Sequence, residues 1–137
     1  MELDHIGVAV RDLAQSLGVY EALGLSQAHR ERIEKDEVEV AFVPFQGGRF
    51  ELLEPLSENS PVAKFIAKRG EGVHHVALGV EDIHAAMDRL KGQGVRLIDE
   101  MPRPGAEGSL VAFVHPASTH GVLVELVQRA FKEPAHG

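Results

Sequence analysis

One block of this chain is written twice. Asp4-His5-Ile6-Gly7-Val8-Ala9-Val10-Arg11-Asp12-Leu13 returns as His74-His75-Val76-Ala77-Leu78-Gly79-Val80-Glu81-Asp82-Ile83. His5/His75, Val10/Val80, Asp12/Asp82 and Leu13/Ile83 stand in register 70 positions apart. The register continues through Leu17/Met87, Tyr20/Leu90, Gly24/Gly94 and Leu25/Val95. A second block, Phe50-Glu51-Leu52-Leu53, matches Val124-Glu125-Leu126-Val127 at an offset of 74. A repeat constrains architecture more than any local signal, because each copy is a supersecondary unit that must bury its apolar face against something. The chain has 137 residues, so each half holds roughly 65, a size at which surface-to-volume scaling leaves an isolated fold marginal. Two fused copies in one domain are expected.

The pattern inside each copy is βαβββ. Leu3 to Val10 alternates with period two, as a strand does. Asp12 reads as an N-cap with Gln15 three residues on, and Leu13, Leu17 and Tyr20 give a helical stripe ending at Gly24. Strands are expected over Leu25–Ile33, Val38–Phe45 and Arg49–Glu54, with turns at Glu34–Glu37 and Gln46–Gly48. A short helix over Val62–Lys68 sits in the linker. The second copy repeats the order: a strand over His75–Val80, a helix capped by Asp82 with stripe Ile83, Met87 and Leu90, then strands over Val95–Ile98, Leu110–Val114 and Val122–Val127. The Pro- and Gly-rich stretch Asp99–Ser109 is expected to be the longest irregular loop. The fold class that follows is α+β: two tandem βαβββ modules forming a curved mixed sheet around a metal site. One domain spans 1–130, with module 1 over 1–56, linker and helix over 57–70, module 2 over 71–129, and a frayed tail over 131–137.

The duplicated polar positions point to chemistry. Alternation places His5 on the strand face of Gly7 and Ala9, and His75 on the face of Ala77 and Gly79, with the larger aliphatics turned away. Small neighbours leave room for a ligand on that side. A single strand histidine or glutamate carries no message, since such residues are usually structural or solvated. Repetition of both, once per module, makes His5, Glu51, His75 and Glu125 a candidate metal set converging on a pseudo-twofold axis. There is no cysteine, so disulfides, thiolate ligands and thiol nucleophiles are excluded and a metal must take imidazole and carboxylate. Two of each suit an octahedral ion such as Co²⁺, Mn²⁺, Ni²⁺ or Fe²⁺, with Zn²⁺ as an alternative. His74 points away from His75 and reads as structural. His115 and His120 belong to turns, and His29, His84 and His136 to the surface.

A net charge of −7 argues against a nucleic-acid surface, which needs clustered Lys and Arg. No apolar run approaches ~20 residues and no basic start precedes one, so neither a membrane span nor a signal peptide is expected and the default location is cytoplasmic.

On these residues the chain resembles the vicinal oxygen chelate (glyoxalase/bleomycin-resistance-like) superfamily, and more closely its methylmalonyl-CoA epimerase family. The likeness runs from Leu3 to Gln128. Its most specific stretches are Asp4–Val10, Glu51–Leu56, Gly72–Ala77, Phe113–Pro116 and Gly121–Leu126, above all the His115-Pro116 turn followed by Gly-Val-Leu-Val-Glu-Leu. The resemblance implies His5, Glu51, His75 and Glu125 as metal ligands, with position 51 varying in the family between amide and carboxylate. It implies a divalent ion, Co²⁺ favoured, and interconversion of the 2R and 2S stereoisomers of methylmalonyl-CoA by proton removal and redelivery at C2. It further implies Glu125 and Glu39 as the two acid/base groups flanking C2, an acyl-CoA as the small-molecule partner, and a homodimer. Val38, Val40 and Phe42 read as the core stripe of their strand, which turns Glu39 to the cavity side. The competing activity is that of a lactoylglutathione lyase, glyoxalase I, which can share the same four ligands. Many of those carry an arginine in the first strand where this chain has Ala9. An extradiol dioxygenase is disfavoured by Glu51, and a non-catalytic binding member of the superfamily by retention of all four ligands.

Overall fold

The computed structural model describes residues 1–130, which form two compact units: Leu3–Ala77, and Leu78 onward together with Met1–Glu2. In the first unit the elements are β1 (Glu2–Ala9), α1 (Leu13–Ala22), β2 (His29–Ile33), β3 (Val38–Phe45), β4 (Gly48–Pro55), α2 (Pro61–Arg69) and the start of β5 (Gly72–Gly79). Their sheet order is β2-β3-β4-β1-β5. β2 and β4 run antiparallel to β3, while β1 runs parallel to β4 with Gly7 opposite Glu51. The second unit takes the last two residues of β5 and adds α3 (Ile83–Gly92), β6 (Arg103–Pro104), β7 (Leu110–Val114) and β8 (Val124–Gln128). β7 pairs antiparallel with both β6 and β8, and Phe113 stands opposite Glu125.

The helices form where the repeat puts them. Asp12 accepts from the Gln15 amide and Asp82 from the Ala85 amide, each at 3.1 Å, which satisfies a donor that the helix start leaves over. Each helix stops at a glycine of positive φ, Gly24 at +94° and Gly94 at +78°, a conformation that costs a side-chain-bearing residue steric strain. Leu13 and Leu17 pack with Val10, Ala41, Val43 and Leu52, and Ile83, Ala86 and Met87 pack with Ala112, Val114 and Leu126. Tyr20 closes the first cluster against Phe50, and burial pushes its phenol up from its ordinary pKa.

The boundary between the two units falls inside β5. α2 packs on β4, and Phe65 lies edge-on against His74, so the linker helix and the start of the second repeat stay with the first unit. The strand expected over Val95–Ile98 is only an isolated bridge, Leu97 to Val114. The next residue along explains why: the Asp99 carboxylate accepts the Phe113 amide at 2.7 Å, where a backbone carbonyl would have continued the ladder. The edge strand of the second copy is instead Arg103–Pro104, inside the stretch read as loop; Gly105 still donates to the Ser109 carbonyl at 2.9 Å, and the chain then turns through Ala106–Gly108. The frayed tail over 131–137 lies outside the described residues.

Candidate metal centre

β1 and β5 bring two histidines face to face. His5 and His75 are buried, and their Nε2 atoms lie 2.9 Å apart with the rings edge-on. Gly7 makes this approach feasible: a Cβ there would fall inside the His75 ring, and the strand face is otherwise lined by the fully buried Ala9 and Ala77. The sequence reading has small residues leaving room for a ligand; at Gly7 the space is taken by the His75 ring itself.

Each imidazole is anchored from behind. His5 Nδ1 lies 2.7 Å from Asp4 Oδ1, and His75 Nδ1 lies 2.9 Å from His74 Nδ1. A carboxylate accepts only, so His5 carries its proton on Nδ1 and turns a lone pair outward on Nε2; His75 does the same when its Nδ1–H donates to His74. In those tautomers the two lone pairs face one another, an arrangement able to share a proton as well as to take a cation. The spacing fits one, since adjacent donors on an octahedral ion with bonds of about 2.1 Å are about 3.0 Å apart. Backing each ligating imidazole through its second nitrogen is also the usual way a protein orients it. His74 therefore does more than its strand parity suggested: it holds the imidazole of His75 next to it.

Glu51 is buried on β4 on the face of His5. Its Oε2 lies 3.1 Å from His5 Nδ1 and accepts from Arg49, at 3.1 Å from Nε and 2.8 Å from Nη2. Asp4, His5 and Glu51 present donor atoms that all lie within 4.8 Å of one another, a grouping able to hold a cation. The Arg49 guanidinium sits 4.4 Å over the Phe42 ring, and His29 stacks on the same ring at 4.3 Å. His29 is exposed, as its sequence reading has it, and its ring stacks on the Phe42 side chain opposite Glu51. Glu125 is buried in the second unit, on β8 opposite Phe113.

Glu39 lies elsewhere than its sequence reading placed it. Its partner across the ladder is Glu54, whose carboxylate accepts the Leu13 amide at the start of α1, and its ion pair is with Arg30 at 3.8 Å. By alternation it shares a face with Ala41 and Val43, the residues that pack on α1. Phe42 and Val40 occupy the face of Glu51 and Leu53. Because the helix covers Ala41 and Val43 rather than Val38, Val40 and Phe42, the cavity-side position inferred for Glu39 is corrected to the α1 side.

Asp4, Arg49 and His74 were missed as site residues. Two of them had a signal: Arg49 stands two positions before Glu51 and so shares its face, and Asp4 immediately precedes a candidate ligand histidine.

A pair of βαβββ modules bearing buried histidine and carboxylate defines a metal-site fold of the glyoxalase type, and comparisons with known proteins agree. Residues 4–113 match the model of the Glyoxalase/Bleomycin resistance protein/Dioxygenase superfamily. YqjC of Bacillus subtilis, an uncharacterized protein, is 45% identical, with 92% of this chain and 91% of that protein covered. The ethylmalonyl-CoA/methylmalonyl-CoA epimerase of Cereibacter sphaeroides is 40% identical, with 92% and 96% covered. A solved structure of a Streptomyces coelicolor methylmalonyl-CoA epimerase variant, in complex with 2-nitronate-propionyl-CoA, superposes with a TM-score of 0.92 at 39% identity, covering 98% of this chain and 99% of that one. The chain belongs to this superfamily and, within it, to the methylmalonyl-CoA epimerase family. No helix among the described residues is long and apolar enough to cross a membrane.

Proposed function

We propose that this chain interconverts the 2R and 2S stereoisomers of methylmalonyl-CoA with the help of a divalent metal ion. The observation that carries this reading is the facing pair of Nε2 atoms, 2.9 Å apart and each backed through Nδ1, in a member of this family. His5, Glu51, His75 and Glu125 are the proposed ligands, and the all-nitrogen-and-oxygen set favours Co²⁺ over a thiophilic ion. When bound, such an ion supplies Lewis-acid stabilisation of the negative charge that spreads onto the thioester and carboxylate oxygens as the C2 proton leaves.

The residues divide the remaining work. His5 and His75 hold the centre, fixed in orientation by Asp4 and His74. Glu125 is the proposed proton-transfer carboxylate at C2. Inversion also needs a proton returned to the opposite face of C2, and the family resemblance offers Glu39 for it, a role that requires its carboxylate to reach C2 from the α1 side of β3. Ala9, which is fully buried, offers no charge to a glutathione carboxylate, which favours the epimerase over the lyase. The chain is further proposed to act as a cytoplasmic homodimer.

The test is proton exchange in D₂O. The metal-replete protein is expected to exchange and invert C2 of methylmalonyl-CoA and to leave the hemithioacetal of glutathione and methylglyoxal untouched. Turnover of the hemithioacetal with none of methylmalonyl-CoA would move the assignment to the lyase.

A further inference from the structure

We infer that Arg49 sets the charge that Glu51 presents to the metal, and so tunes how tightly the ion is held against how strongly it acts. This deepens the proposed function and rests on its assignment of Glu51 as a ligand. Two residues before Glu51 on the same strand, Arg49 projects onto the same face and donates from both Nε and Nη2 to Oε2. Its side chain is only 17% exposed and Glu51 only 7%, so water screens the pair poorly. Stacking on Phe42, itself backed by His29, holds the guanidinium in place. The cation therefore cannot simply swing away when a second cation arrives.

Two consequences follow from elementary electrostatics. A fixed positive charge beside the ligand carboxylate weakens attraction for a divalent ion, and it withdraws electron density from the carboxylate. The ion then keeps more of its own charge for the substrate oxygens. Arg49 with Glu51 sums to zero charge, as a neutral amide at position 51 with no arginine would. Arg49 is thus a positioning residue: it meets neither substrate nor ion, and acts through Glu51.

Charge arithmetic gives a distinctive order across four proteins. Arg49→Met leaves the site one unit more negative, and Glu51→Gln leaves it one unit more positive. The double variant returns to the wild-type sum. Affinity for Co²⁺, measured by competition with a chelator, is expected to rise roughly tenfold in Arg49→Met and to fall by a similar factor in Glu51→Gln. It should return near wild type in the double variant, and these changes lie at the lower end of the 10–100-fold effects usual for residues around a metal. Inversion by metal-saturated Arg49→Met should slow in kcat with KM little changed. A bracing role alone predicts the opposite sign, with looser metal in Arg49→Met and no recovery in the double variant. Either that result or an unchanged affinity overturns the inference. His5→Ala is measured alongside to keep the two readings apart. Loss of metal in His5→Ala with wild-type affinity in Glu51→Gln would mean that Glu51 is no ligand, which removes the premise and the inference with it. An effect in Glu51→Gln with none in Arg49→Met rejects Arg49 alone.

Discussion

The two copies of the repeat agree where a strand turns into a helix and part company in the strands that follow. In the first, the Val10 amide donates to the Leu53 carbonyl and Glu54 receives the Leu13 amide; in the second, Val80 donates to Val127 and Gln128 receives the Ile83 amide. The backbone bonds are 2.9 Å in both. The bond from Val10 ties the end of the first repeat's opening strand to β4, and the bond from Val80 ties the matching point of the second repeat to β8. The outer strands carry none of the proposed ligands. There the first copy has a five-residue β2 on an eight-residue β3, and the second a two-residue β6 on a five-residue β7. The parts proposed to hold a metal are the ones that have stayed duplicated.

Breaking the duplicated histidines should have the largest effect. His5→Ala and His75→Ala each remove a proposed ligand and are expected to lose most bound metal and activity, as read by elemental analysis and C2 exchange. Next comes a position where the matched strands differ, Gly7 in the first copy and Ala77 in the second. Gly7→Ala drives a Cβ into the His75 ring and should weaken metal binding by roughly 10–100-fold. The matching change in the second copy, Ala77→Gly, should leave metal binding intact and cost about 1 kcal/mol of folding stability by denaturant titration. Equal metal loss in both would show that Gly7 is not the steric gate.

The helix starts separate the copies more finely. Glu54→Ala removes a charged acceptor and should cost about 2 kcal/mol, whereas Gln128→Ala removes a neutral one at about 1 kcal/mol. Chemical denaturation reads both. Glu39→Gln sits at the bottom of the scale. With Glu39 on the α1 side, inversion should fall by less than about tenfold; a loss of roughly 10²-fold, the usual worth of an acid/base group, would establish it as the second base.

How much of this was legible in the chain depends on where the signal lay. The helices, their Asp12 and Asp82 caps and the strands bearing His5 and His75 were readable because local patterning and the repeat agreed. β3 was not readable in its facing, because Val38, Val40, Ala41, Phe42 and Val43 are all buried and hydrophobicity labels neither side. That ambiguity misplaced Glu39. The Val95–Ile98 strand failed for a different reason: its composition suits a strand, but Asp99 competes for the Phe113 amide through a side-chain contact that no periodicity reveals. Glu54 and Gln128 went unnoticed as helix caps because each reaches a helix about 40 residues earlier in the chain, although their shared offset of 74 was there to be seen.

The central claim is that two copies of one motif together hold one ion that serves one reaction. Metal-stripped protein titrated with Co²⁺, with bound metal and C2 deuterium incorporation into methylmalonyl-CoA followed in the same samples, tests it most directly. The expected result is exchange that is negligible without metal, climbs in proportion to bound ion, and reaches its plateau at one ion per chain. Full exchange in the stripped protein, or a plateau at two ions per chain, would contradict it.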